Sequence, residues 1–182
     1  MKVLRHIRAI ILLPLMATLV IPAVLLYLTG QVNIGWSLVP PLYIVPLAVG
    51  SLLVCIGLVL LIQTIRLFVT QGEGTLAPWD PAQNLVSHSL YGHVRNPMIL
   101  GVFCILMGEA VVLGSVALLS WFALFLLANL LYIPLVEEQS LRRRFGEAYT
   151  SYRQSVPRWI PRLKPWSPIS PHRATGPHMG DP

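Results

Sequence analysis

Apolar residues run through this chain in long stretches that show neither the two-residue alternation of a half-buried strand nor the narrow stripe of a surface helix. No Lys, Arg, Asp or Glu occurs between Arg8 and Arg66, which leaves room for two membrane helices of about 20 residues and a connection. The first predicted span covers residues 7–28 and carries Pro14 and Pro22; the second covers 42–69. Lys2, Arg5 and Arg8 precede the first run as they would in a signal peptide, but the run is longer than a signal core and no small-residue cleavage pattern precedes Gly30, so it is read as a span. Residues 30–41, GQVNIGWSLVPP, form an uncharged turn with Trp36 suited to a membrane interface. Gly50, Ser51 and Gly57 fall on or near one face of the second span and permit close approach of a neighbouring helix.

The segment QGEGTLAPWDPAQN, rich in Gly and Pro, reads as a polar linker. The apolar signal resumes at Pro97 and continues to Glu137, broken only by Glu109 and the Gly114-Ser115 pair, which predicts a helical hairpin of 97–113 and 116–136. Beyond it Leu141, Phe145, Ala148, Tyr149 and Tyr152 recur at helical spacing opposite Arg142–Arg144, so residues 137–155 are expected as an amphipathic helix against the membrane, its basic face toward anionic lipid. Residues 167–182, rich in Pro, His and Gly, are expected to be a disordered tail. The fold class is thus an all-α integral membrane protein with about four transmembrane helices, one domain over 1–166, and a C-terminal cytoplasmic helix.

Composition strengthens this reading: hydrophobic residues are 55% and charged residues 11% of 182, far below the roughly 25% charged of a soluble domain. With four spans, all 13 Lys and Arg residues fall on one side, the asymmetry that the positive-inside rule gives for a multi-pass protein with both termini in the cytoplasm. The net charge of +6 is then directed at lipid, and neither nucleic acid nor metal is expected as a partner. Cys55 and Cys104 lie inside spans as small apolar residues. Glu109, about three turns into the third span, is read as lying near the far interface or as protonated.

Candidate chemistry concentrates in LVSHSLYGHVRNPMILG, residues 85–101. Asn96 as N-cap and Pro97 as first helical residue would turn a positive helix end and its free N–H groups toward a ligand, a site for an anion. Glu137 and Glu138 fall on the same side of the predicted hairpin. A carboxylate and a ring of N–H donors lining one cavity would hold both ends of a zwitterion.

Tyr91, Val94-Arg95-Asn96-Pro97 and Gly101, followed by Glu137-Glu138, Leu141, Phe145-Gly146, Tyr149, Tyr152, Val156-Pro157 and Ile160-Pro161, resemble the isoprenylcysteine carboxyl methyltransferase family, itself similar to the phospholipid methyltransferases. The resemblance covers roughly residues 75–161 and implies a membrane enzyme that transfers methyl from S-adenosylmethionine, bound at the cytoplasmic helix ends, to a lipophilic acceptor such as a prenylcysteine carboxylate. It further implies cofactor contacts at Gln83, Asn84, Leu85, Val86, Tyr91, Asn96, Pro97, Met98, Ile99 and Glu137, with Glu137 meeting the cofactor's amino group. Asn96 stands where the family often has histidine and Ile99 where it often has tyrosine, and no arginine precedes the glutamate pair within 129–136 to engage a substrate.

A counter-ion for a carboxylate acceptor would then come from Arg95 or Arg158, and a base for an amine or hydroxyl acceptor from Glu138 or His93. Two other readings stand beside the methyltransferase: a non-catalytic small membrane protein, such as a transporter subunit or assembly factor, and a reductase-like relative of the same fold. Glu109 alone supplies the intramembrane charge that transport would use, and no further residue points to a nicotinamide cofactor.

Overall fold

The computed structural model describes residues 12–71 and 88–166, and these are helical except for turns and an extended C-terminal segment. Five helices carry the architecture: α1 (Leu12–Thr29), α2 (Ile44–Gln71), α3 (Pro97–Leu113), α4 (Val116–Tyr132) and α5 (Glu138–Ser155). Three stretches, Leu12–Thr29, Ile44–Leu67 and Val116–Ser155, are long and apolar enough to cross a membrane, while Pro97–Leu113 is apolar but shorter. The predicted starts and stops at 97–113 match α3, and the second span is displaced to 44–71. The part of the linker beyond Gln71 and the tail at 167–182 lie outside the described residues.

α1 tolerates its prolines through a π-helical turn at Met16–Val20, where Ile21 N–H reaches back five residues to Met16 O. By that register Pro22 should serve the Ala17 carbonyl, but proline has no N–H. The Trp121 indole N–H fills the vacancy at 3.0 Å, which ties α1 to α4 through a bond created by the missing donor.

The core of the bundle is the antiparallel pairing of α2 and α3. Gly57 lies against Gly101 and Gly50 against Gly108, so closely that a Cβ added at Gly57 would stand 2.6 Å from Gly101 O and one at Gly108 2.6 Å from Gly50 O. Both helices repeat glycine at a seven-residue interval and the two repeats are in register, which brings the backbones together as small residues do in membranes.

At the end of α3, Gly114 takes φ +55° and an added Cβ would collide with the Asn33 carbonyl. The first connection is bound here: Asn33 N–H donates to Leu113 O at 2.8 Å, Trp36 Nε1–H to Val111 O at 3.0 Å, and Ala117 N–H to the Gln31 side chain at 3.0 Å.

One boundary differs from expectation. The sequence pattern ends the fourth span at residue 136 and begins a separate helix, whereas α4 runs into α5 through a second π-turn, Ile133–Glu137. Pro134 does not stop the helix because the widened turn absorbs its missing N–H, with Glu138 N–H bonding Ile133 O. The break comes later, inside α5 at Gly146, whose φ of 55° and ψ of −125° only glycine adopts without strain. The expected apolar stripe also faces differently: Tyr149, Tyr152 and Val156 are buried together, Leu141, Phe145 and Trp166 pack on them, and Ala148 is exposed. The stripe is covered by the chain's own C-terminal segment.

Candidate functional site

The loop before α3 is built for burial. A 3-10 turn at Ser89–Gly92 inserts Tyr91, which packs with Met98 against Leu61, Ile65 and Leu67 of α2. Asn96 occupies the N-cap and the buried Pro97 opens the helix as expected, but the Asn96 side chain makes no capping hydrogen bond. The cap is positional: the backbone leaves the helix there, while the amide group is held by nothing in the helix end.

Residues 156–166 return across this loop as a strap held chiefly by the main chain. Arg95 N–H donates to Pro157 O at 3.0 Å, Arg162 N–H to His93 O at 3.0 Å, and Trp166 N–H to Gly92 O at 2.9 Å. His93 Nδ1–H adds a bond to Arg162 O at 2.7 Å, which fixes the tautomer and leaves Nε2 with its lone pair. Below the strap, Trp159 reaches down to the Phe103 ring, 5.3 Å between centroids, joining an aromatic group with Phe122 and Phe125 of α4.

Glu138 is the electrostatic centre. Its side chain is 4% exposed and meets Arg95 Nη1 at 2.6 Å, Arg158 Nε and Nη2 at 2.7 and 3.0 Å, and Arg153 Nε at 3.3 Å. Loop, helix and strap therefore converge on one carboxylate. The bond to Glu138 pushes the Arg158 guanidinium further into its charged form. Around the hub, burial raises the hydroxyls of Tyr91, Tyr149 and Tyr152, and Tyr152 O–H donates to Tyr91 O at 2.7 Å.

Glu137, one residue earlier, is left differently. It is pushed up to about 7 by burial first and by the charge of Glu138 second. Its carboxyl bonds to no described side chain, and its charge is felt at Tyr91, which places it over the loop. Arg95 supplies the complement: its Nε–H is buried and has no acceptor. Among the described residues the Glu137 carboxyl meets no cation and the Arg95 Nε–H meets no acceptor, and these are the two kinds of group that pair with the ends of a zwitterion.

Of the residues singled out in the sequence, the structure joins Arg95, Glu138 and Arg158 directly and brings Tyr91 and Met98 into one cluster with Glu137 nearby. Ile99 follows Met98 on the first turn of α3, half-buried. Gln83, Asn84, Leu85 and Val86 lie outside the described residues. Sequence reasoning missed Arg153, Trp159 and the inward role of Tyr149 and Tyr152. The tyrosines carried a signal, since a buried stripe of Tyr rather than Leu brings hydroxyls that need partners. Among the described residues, no group of three or more His, Cys, Asp or Glu is placed to hold a metal.

Comparison with known proteins places these features in a family. The profile described as phospholipid methyltransferase matches residues 45–148, which takes in α2, α3, α4 and the glutamate pair. The protein-S-isoprenylcysteine O-methyltransferase of Schizosaccharomyces pombe is 34% identical over 77 residues, 42% of this chain and 33% of that protein, so the match spans about a third of the relative's length. No solved structure matches. The matched region contains both halves of the hub, Arg95 and Glu138, and more than half of the chain: this membrane protein belongs to the phospholipid methyltransferase family.

Proposed function

We propose that the protein is an integral-membrane methyltransferase that uses S-adenosylmethionine to methylate a lipophilic acceptor. The observation that carries this reading is the pair of unmatched groups beside the α3 start, the Glu137 carboxyl and the Arg95 Nε–H. They fit the amino and carboxylate ends of the cofactor, with the positive end of α3 at Asn96 and Pro97 adding to the attraction for the carboxylate. When bound, the cofactor supplies a methyl on a sulfonium that departs as a neutral thioether, so no general acid is needed.

The chain's own residues then act by placement. Glu137 holds the ammonium, Arg95 and the helix start receive the carboxylate, Tyr91 and Met98 form the apolar floor, and the strap with Trp159 keeps water from the reacting end. Glu138 is committed within the hub, its oxygens already taken by Arg95, Arg153 and Arg158, so it does not face an acceptor. His93 is better suited where an amine or hydroxyl must lose a proton, since Nδ1 is occupied and Nε2 is free to accept. A carboxylate acceptor needs no base at all.

In the membrane the reading places four crossings, with α3 and α4 as a hairpin, the hub and both termini on the cytoplasmic face, and α5 along that surface. Calorimetry with S-adenosylhomocysteine in detergent tests the site. Binding is expected in the wild type and a loss of about 1.5 to 3 kcal/mol in Glu137→Gln, through a lost charge-assisted bond. Equal affinity in a folded variant would remove Glu137 from the site.

A further inference from the structure

Glu109 serves nothing described so far. It stands four residues before the C-terminal end of α3, about 18 Å of helical rise from Pro97 and away from the Glu138 hub. Beside it α2 and α3 leave an open-sided cavity of about 340 Å³ lined by Ser51, Val54, Cys55, Glu109, Val112 and Leu113. One carboxyl oxygen, Oε2, is shut away from solvent, and among the described residues no donor reaches it. The one cation on α2, Arg66, is fifteen residues from Ser51.

Depth and access define what fits. Trp36 donates its indole N–H to Val111 O, two residues beyond Glu109, and such an amphipathic ring sits at headgroup level. Glu109 therefore lies at that depth, while Val54, Val112 and Leu113 give the cavity hydrocarbon walls. Ser51 and Cys55 are exposed on the lipid-facing side, so the opening is toward the bilayer. A carboxyl without an internal partner repels anions and takes a hydrogen-bonding cation; the walls take an acyl chain.

We propose that this cavity holds an amino-headgroup lipid of the surrounding bilayer, its ammonium on the Glu109 carboxyl, its chain running inward along Val54 and Cys55, and Val112 and Leu113 flanking it on the headgroup side. The site is remote from the hub, so this lipid is a resident of the fold and not the methyl acceptor. The proposal stands whether or not the protein transfers methyl groups.

Dicyclohexylcarbodiimide, an apolar reagent that enters bilayers and couples to carboxyls, tests it on the full chain in nanodiscs, with adducts mapped by peptide mass. Glu109 is expected to react in phosphatidylglycerol bilayers and to react about fivefold more slowly when phosphatidylethanolamine is included at several times its Kd. Diacylglycerol at the same fraction should give no protection. In native mass spectrometry from mixed lipid, the wild type should retain a phosphatidylethanolamine adduct and Glu109→Gln should lose the preference. Equal rates in the two bilayers, equal protection by diacylglycerol, or no reaction at Glu109 in either bilayer overturns the proposal. Protection by free dodecylamine but not by phosphatidylethanolamine overturns the lipid assignment and makes the occupant a single-chain amine.

Discussion

The carboxylates of Glu137 and Glu138 are neighbours in the chain, yet their surroundings treat them oppositely: among the described residues one meets three arginines, while the other meets none and is raised to about 7. Ionising Glu137 costs the folded protein free energy that the unfolded chain does not spend. With a folded value above the unfolded one near 4.5, the cost is absent below pH 4.5, grows between 4.5 and 7, and is complete above 7. Glu137→Gln should therefore raise the melting temperature of the ligand-free protein at pH 8, by the several degrees that about 3 kcal/mol gives, and leave it nearly unchanged at pH 4.5. A variant that melts lower at pH 8 would mean that the carboxylate has a partner. Glu138→Ala should act the other way, costing about 3 to 5 kcal/mol because it strands buried guanidiniums. Arg153→Ala should cost under about 0.5 kcal/mol, since that arginine is 47% exposed. Denaturant melts of the two variants side by side check the contrast. The sequence showed a glutamate pair among arginines and left both as open candidates, because division of labour between adjacent carboxylates depends on which way each points. Helix phase at Glu137 is set by a π-turn that no periodicity reveals.

Helix pairing was more legible. Gly50 and Gly57 on α2 announced a close contact, and α3 answers with Gly101 and Gly108 in register. Gly57→Ala and Gly108→Ala should each destabilise the protein by about 1 to 3 kcal/mol, since the new methyl meets carbonyl oxygens that can move only if the helices part. Gly146→Ala has open space around its side chain and should lose stability through its backbone angles alone, about 1 to 3 kcal/mol. If thermal melts in detergent leave Gly57→Ala and Gly108→Ala as stable as the wild type, the α2–α3 contact is not the core of the bundle. What the sequence concealed at this scale was the continuity of α4 and α5. Proline at 134 and charge from 137 onward both mark an end by local rules, and a single wide turn overrides them. The stripe on α5 was visible as a stripe, but what would cover it was not, because the covering residues 156–166 have no periodic signal.

At the scale of the molecule, the proposed site predicts a pH profile. An ammonium ligand needs Glu137 ionised, so affinity for S-adenosylhomocysteine should rise with pH through about 7, being about tenfold weaker at pH 6 than at pH 8, while Glu137→Gln stays flat. A wild-type profile that falls or stays level over this range removes the ammonium from Glu137. The all-α, membrane-spanning class was readable because spans depend on bulk apolarity, and the meeting of Arg95 with Glu138 was readable only as a shared side of the bundle. The strap carries a consequence for how such a protein diversifies. Its attachments to Gly92, His93 and Arg95 are made chiefly by peptide groups, which every amino acid except proline supplies in full. Side chains along the strap are thereby released from the duty of holding it closed. Trp159 or Ile160 can therefore be exchanged among descendants of this chain while the closure over the helix ends is inherited unchanged.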